Sequence, residues 1–254
     1  MTSVRLADYR PAPQLLDRTD LTVWLFEDHA EVEARLAFRP NPAAAAGPLV
    51  LRGVDLELLE LRCDGQPLAA AAYDLDGPRL VIPDPPAAAF VLESRVRIRP
   101  HANTALEGLY VSGGLFTTQC EAEGFRRITF HPDRPDLLSC FRVRIEADRA
   151  SCPVLLSNGN CVDSGDLGAA GSGGGARHYA VWDDPFPKPS YLFALVAGRL
   201  EGVRDRFTTA SGREVILRIH VEPGDAPYTA HAMASLKRAM ASLNCFCRVS
   251  SRPS

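Results

Sequence analysis

The sequence predicts a mainly β protein: an antiparallel β-sandwich followed by the incomplete start of a second domain. Three observations lead there. Apolar and polar residues alternate with a period of two through residues 30–38. Short β-prone runs then recur along the chain, punctuated by Gly, Pro, Asp and Asn, as in a sandwich or barrel rather than a βαβ fold. A persistent helical spacing of apolar residues comes only near the end.

The elements follow in order. In DLTVWLFEDHAEVEARLAFRP, residues 20–40, Ala30, Val32, Ala34, Leu36 and Phe38 fall on one face and Glu31, Glu33 and Arg35 on the other. Residues 21–27 supply a partner strand and Asp28-His29 the turn, so the stretch reads as a hairpin with a solvated His29 at its tip. LELLELRC runs into Asp64-Gly65, a dipeptide that accepts the positive φ of a tight hairpin turn. RLVIP, AFVLESRVRIRP, GLYVSG, FRRITF, CFRVRIEA, CPVLLSNGN and RHYAVWDD are the next expected strands. The segment DLGAAGSGGGA, residues 166–176, contains a G-x-G-x-x-A string. A dinucleotide loop would need a helix after it, and the run that follows reads as a strand, so an elongated hairpin loop is expected.

After the strongly apolar YLFALVAGRLEGVRDRF and the strand-like REVILRIHV, Met233, Leu236, Met240 and Leu243 recur at helical spacing. The expected organisation is a β-sandwich over residues 1–200 and the beginning of another domain over 201–243.

Composition excludes several classes of function. A net charge of −3 gives no electrostatic footprint for nucleic acid or an anionic membrane. The alternating Arg95, Arg97 and Arg99, and Arg142 and Arg144, suit a solvated sheet face. No apolar stretch approaches the roughly 20 residues that span a bilayer, and the first residues lack a signal-like apolar run. The seven cysteines are odd in number, scattered and without a C-x-x-C pair, which fits free thiols in a reducing cytoplasm. Cys245-Phe-Cys247 has no second pair to complete a metal site. None of the six histidines lies in H-E-x-x-H or pairs at i, i+4, and G-x-S-x-G and P-loop motifs are absent.

One polar stretch stands out, TTQCEAEGFRRITFHPDRPD, residues 117–136. If it is extended, Gln119 and Glu121 project from the same face and can converge on one cation through oxygen acceptors. An ammonium about 4 Å from a carboxylate gains on the order of 4 kcal/mol at an effective dielectric near 20, before desolvation is counted. A plain polar strand edge accounts for the same two residues.

Three long strings, LEGLYVSGGLFTTQCEAEGFRRITFHPDRPD, LLSNGN and WDDPFPKPSYLFALVAGRLEGVRDRFTTASGREV, resemble the amino-terminal part of the bacterial aminopeptidase N family, zinc metallopeptidases of the gluzincin type. The resemblance covers approximately residues 20–243. It implies a saddle-like amino-terminal β-sandwich followed by the incomplete start of a thermolysin-like catalytic domain. It also implies that Glu121, with Gln119 beside it, binds the free α-ammonium of a peptide substrate. The Asp133-Arg134-Pro135-Asp136 turn would shape the hairpin behind that loop, with Arg134 structural.

The same resemblance assigns this chain no catalytic residue, no metal ligand and no cofactor. In full-length members zinc is held by H-E-x-x-H and a later Glu, with G-A-M-E-N contacting substrate, and neither motif occurs here. The match weakens after Met240, and residues 226–254 hold no Asp or Glu. Residues 244–254 are therefore expected to be an aberrant, frameshifted tail on a chain truncated before the zinc site. The implied partners are peptide N-termini, bound weakly, and a separately encoded catalytic portion, with no nucleic acid and no membrane. The alternative is a stand-alone β-sandwich interaction module without catalysis.

Overall fold

The structure, a computed structural model, describes residues 9–169 and 175–250. Strands β1 (Gln14–Leu25) and β2 (Ala30–Pro40) form the hairpin that the alternation predicts. Ala30, Val32, Ala34, Leu36 and Phe38 are each at most 2% exposed. Removing that apolar face from water is worth about 25 cal/mol per Å² and is what holds the hairpin against the core. β3 (Leu49–Arg52) precedes β4 (Glu57–Cys63) and β5 (Gln66–Pro67). Asp64 and Gly65 join the last two with φ of 50° and 75°, the left-handed pair that a two-residue turn requires. β6 (Asp74–Asp76) and β7 (Arg79–Ile82) make a small hairpin, and β8 (Phe90–Ile98) returns between β2 and β4.

β9 (Gly108–Ser112) and β10 (Leu115–Gln119) form a further hairpin. β11 (Ser139–Asp148), β12 (Val154–Ser157), β13 (Asn160–Ala169), β14 (Ala176–Lys188) and β15 (Leu195–Gly198) complete the first compact unit, which ends at Gly198. Its strands make an eight-stranded sheet in the order β13-β14-β11-β1-β2-β8-β4-β5, a four-stranded sheet β12-β15-β10-β9 and a three-stranded sheet β3-β7-β6. Pairing is antiparallel except between β1 and β11, which the long excursion from β2 to β11 allows to run parallel. One hydrophobic cluster joins the three sheets, with Leu36 and Val96 from the first, Leu109, Leu155 and Leu195 from the second, and Leu51 and Leu80 from the third. The fold is the mainly β, multi-sheet sandwich expected from the sequence.

The arginine row lies on the solvated face of the large sheet. Arg95 and Arg97 both grip Glu31, at 2.6 Å and 2.9 Å. Burial of Glu31 opposes ionisation, but the hydrogen bonds from Arg97 and Arg95 outweigh it and hold the carboxyl below the usual range.

FRRITF is not a strand. Phe125–Arg127 is a 3-10 turn, and the main chain beyond it pairs only through a bridge from His131 to Arg52. Phe125 and Ile128, three residues apart, are both buried, and that spacing eclipses on a 3-10 turn. The glycine-rich connection does join two paired strands, with Ala169 opposite Ala176. Residues 170–174 of the expected loop lie outside the described residues.

A second compact unit begins at Arg199. It contains β16 (Glu201–Thr208), β17 (Glu214–Val221) and α1 (Ala230–Ser250). Leu217 and Met233 are buried in it, and Lys237 of α1 ion-pairs with Asp205 of β16. The backbone of residues 244–250 continues α1; residues 251–254 and the side chains of Cys245 and Cys247 lie outside the described set. Among the described residues, no helix is long and apolar enough to cross a membrane.

Candidate functional site

The candidate site grows from the end of β10. This strand lies between β15 and β9 and turns Phe116 into the core. Past the last ladder bonds to β15, Thr118 takes over: its hydroxyl donates to Leu195 O at 3.2 Å and accepts from Leu195 N at 2.8 Å. β10 ends at Gln119, and residues 121–124 form a turn. The expectation that Gln119 and Glu121 share the face of an extended strand is therefore corrected. They still alternate in exposure, with Gln119 and Glu121 at the surface and Cys120 turned inward between them. The Glu121–Ala122 peptide is cis.

The base of this turn is closed by main chain against main chain. Gly124 N donates to Cys120 O at 2.9 Å. A Cβ at Gly124 would collide with the carbonyl of Gln119, and one at Gly108 would collide with Arg127, so glycine is required at both. Burial, with the Asp133 charge adding to it, pushes the Cys120 thiol up to about 12, so Cys120 is packing and not a nucleophile.

Behind the turn lies a buried polar frame. Asp133 accepts from Arg126 Nε at 2.8 Å and from Ser190 Oγ at 2.8 Å. Its own N–H donates to His131 Nδ1 at 2.9 Å, which places the imidazole proton on Nε2. That Nε2 is buried and unpaired, and the ring meets Phe125 edge-on with centroids 4.7 Å apart. Burial pushes His131 down to about 4, with Asp133 opposing, so the ring is neutral around pH 7. Arg134 bonds both oxygens of Asp136 and the carbonyl of Arg10, which ties the start of the chain to the same corner.

The two arginines that follow Glu121 are thus occupied. Arg126 holds Asp133 and, at 2.9 Å, Glu123. Arg127 holds Asp55 and Glu107. The Glu121 side chain makes no hydrogen bond or ion pair among the described residues. The outcome is an unneutralised carboxylate at the surface, two residues from an exposed carboxamide, on a turn anchored from below. Such a pair can accept hydrogen bonds from a cation.

Sequence reasoning named Gln119 and Glu121 but missed Arg126 and His131, and gave Asp133 only a place in a turn. The glycines at 108 and 124, on either side of the hairpin, were the available signal. The donors of a zinc site do not fit this chain: no three His, Cys, Asp or Glu side chains cluster among the described residues, and H-E-x-x-H is absent from the sequence.

The fold and the turn together define a class. The chain belongs to the family described as Peptidase M1 N-terminal domain, whose sequence profile matches residues 20–192. Aminopeptidase N of Caulobacter vibrioides is 54% identical over 238 residues, covering 94% of this chain and 26% of that protein. Aminopeptidase N of Escherichia coli K12 is 45% identical over 92% of this chain and 26% of its own length. Legionella pneumophila aminopeptidase A, solved in complex with aspartic acid, superposes with a TM-score of 0.85 at 34% identity, over 94% of this chain and 27% of that one. An M1 zinc metallopeptidase from Deinococcus radiodurans shares the fold, with a TM-score of 0.67 at 17% identity over 84% of this chain and 48% of that one. The chain spans about a quarter of the length of the curated relatives it matches.

Proposed function

We propose that this chain supplies the part of an aminopeptidase site that recognises the free α-ammonium of a peptide, and that it does not hydrolyse peptides by itself. The observation that carries the reading is Glu121, exposed and unpartnered while both arginines that follow it are held by other carboxylates. A carboxylate kept free at a fixed position gives a peptide's charged end a Coulombic advantage on the order of a few kcal/mol over an uncharged amide. Gln119 adds a carboxamide oxygen that accepts a second ammonium N–H. The aspartic acid in the Legionella pneumophila complex carries the same α-ammonium, in keeping with this assignment.

Hydrolysis needs an activated water, and the described residues do not fit the metal that would activate it. The partner implied is the catalytic portion of such a peptidase, joined to this chain or encoded apart. The scattered thiols are in keeping with a reducing cytoplasm.

A fusion of this chain to the remaining length of the Caulobacter vibrioides relative tests the reading. The fusion should release p-nitroaniline from alanine p-nitroanilide, and Glu121→Gln should lower kcat/KM by roughly 10- to 100-fold, as expected for a lost charge-assisted hydrogen bond. The unfused chain should release none. An unchanged kcat/KM in Glu121→Gln, or hydrolysis by the unfused chain, contradicts it.

A further inference from the structure

We propose that the open face of the β16–β17 hairpin binds a phosphate-type oxyanion between Arg204 and Arg218, with His220 as a third donor. The strand register sets Arg204 directly opposite Arg218, Arg206 opposite Ile216 and Gly202 opposite His220. Opposed residues share a face, as do residues two apart, so Arg204, Arg206, Arg218 and His220 project together. The other face, with Asp205, is the one that Lys237 of α1 meets. The open face carries one carboxylate, Glu214, and Arg206 takes it at 2.9 Å. Arg204 and Arg218 are exposed and have no side-chain partner among the described residues.

Two like charges placed directly opposite each other destabilise a strand pair. The one carboxylate on this face, Glu214, is taken by Arg206, so nothing on it offsets the opposed pair.

His220 provides a second and independent observation. Its Nδ1 is buried without a hydrogen-bond partner, and a buried polar atom of that kind calls for an occupant. Gly202, opposite, has no side chain to cover the ring. Burial, then Arg218 and Arg204, push the imidazole below its ordinary pKa, so near pH 7 it is neutral and its one N–H can sit on Nδ1. One anion resolves both the uncompensated guanidinium pair and the orphaned nitrogen.

The donor set selects the anion. A carboxylate has two oxygens, and a single guanidinium fork saturates them. Two forks and an imidazole suit a tetrahedral group with more than two acceptor oxygens. The charge of a phosphate near neutral pH, about −1.5 to −2, balances two unpaired arginines. Inorganic phosphate and the phosphoryl group of a phosphomonoester share this chemistry.

The test follows the His220 Cε1–H resonance of the full chain by NMR during addition of phosphate, glycerol phosphate, acetate or chloride at matched ionic strength. Phosphate and glycerol phosphate should shift it saturably, and the one that saturates at lower concentration identifies the source. Acetate and chloride should not shift it. Arg204→Gln and Arg218→Gln should each weaken phosphate binding about tenfold, the loss expected for one charged hydrogen-bond partner, while the His29 resonance stays unmoved. Phosphate should also raise the melting temperature of the unmodified chain but not of the double variant. A response to chloride equal to that to phosphate, no saturable response, or full binding by the double variant overturns the proposal.

Discussion

The β1–β2 hairpin and the segment from residue 120 to 137 both reach into the core, and they differ in the balance of apolar and polar burial that holds them. The hairpin hides a mostly apolar face, and its main chain is paired along the ladder from Gln14 to Leu25 with one irregularity between Leu16 and Arg18. Its buried polar side chains, Gln14, Thr19 and Glu31, bond Gly47 O, Ser139 and the Arg95–Arg97 pair, and its buried apolar residues outnumber them. The other segment buries Thr129, His131 and Asp133 among its apolar residues, and their side-chain partners are few: Ser94 for Thr129, and Arg126, Ser190 and one imidazole nitrogen around Asp133. Apolar burial tolerates changes of shape, whereas a buried polar frame strands a charge when one member is removed. The hairpin supplies stability, and the frame supplies position for the turn that displays Glu121.

Substitutions that separate these two modes should show it, from the largest effect down. Phe125→Ala removes a fully buried ring whose centroid lies 5.2 Å from Phe193 and 5.9 Å from Phe141. Urea denaturation should record a loss of roughly 4 kcal/mol, the usual scale for a large aromatic cut to alanine. Asp133→Ala leaves the Arg126 guanidinium and the Ser190 hydroxyl without their buried acceptor, and should lose about 3 kcal/mol in the same assay. In the hairpin, the volume-conserving Leu36→Met should stay under about 1.5 kcal/mol. If Asp133→Ala proves no worse than Leu36→Met, the distinction fails.

The frame should also carry a pH dependence that begins at higher pH than that of the hairpin, whose Glu31 carboxyl is held below its usual range and loses its contribution only in the acid range. Folded His131 takes up its proton only near pH 4, against about 6.5 when unfolded. Above pH 6.5 neither state holds that proton, so the group is neutral in its effect. Between about 6.5 and 4 only the unfolded state holds it, so stability falls as pH falls through this window. The loss from this residue reaches roughly 2–3 kcal/mol by pH 4. Denaturation midpoints of the unmodified chain and of His131→Asn, whose side-chain oxygen can still accept from Asp133 N, should converge as pH is lowered from 7 to 4. Parallel profiles would remove His131 from the account. Smallest of all is Glu121→Gln, which should leave the melting temperature unchanged, because that side chain has no partner to lose.

The same contrast explains what could be read in the sequence. Alternation from Ala30 to Phe38 is a statistical property of many residues, and it marks the buried face of β2 directly. Asp64-Gly65 was legible because its conformation restricts which residues can occupy it. FRRITF has the composition of a strand, yet its burial is set by Phe125 meeting His131 and Phe193 edge-on, partners that no local period reveals. Gln119 and Glu121 were legible as a pair two residues apart, but the turn that separates them depends on close backbone approach at Gly108 and Gly124. A one-to-one contact such as Arg126 with Asp133, or Asp133 with Ser190, 57 residues on, leaves no pattern in the chain.

Glu121, on the proposed function, is held free in order to grip a charged chain end. The direct measurement is a titration of the 15N-labelled chain with alanine amide and, separately, with N-acetylalanine amide. Saturable shifts of the Gln119, Cys120 and Glu121 amides are expected with the free amine alone, abolished by Glu121→Gln. Equal shifts with both ligands, or shifts that survive Glu121→Gln, would contradict it.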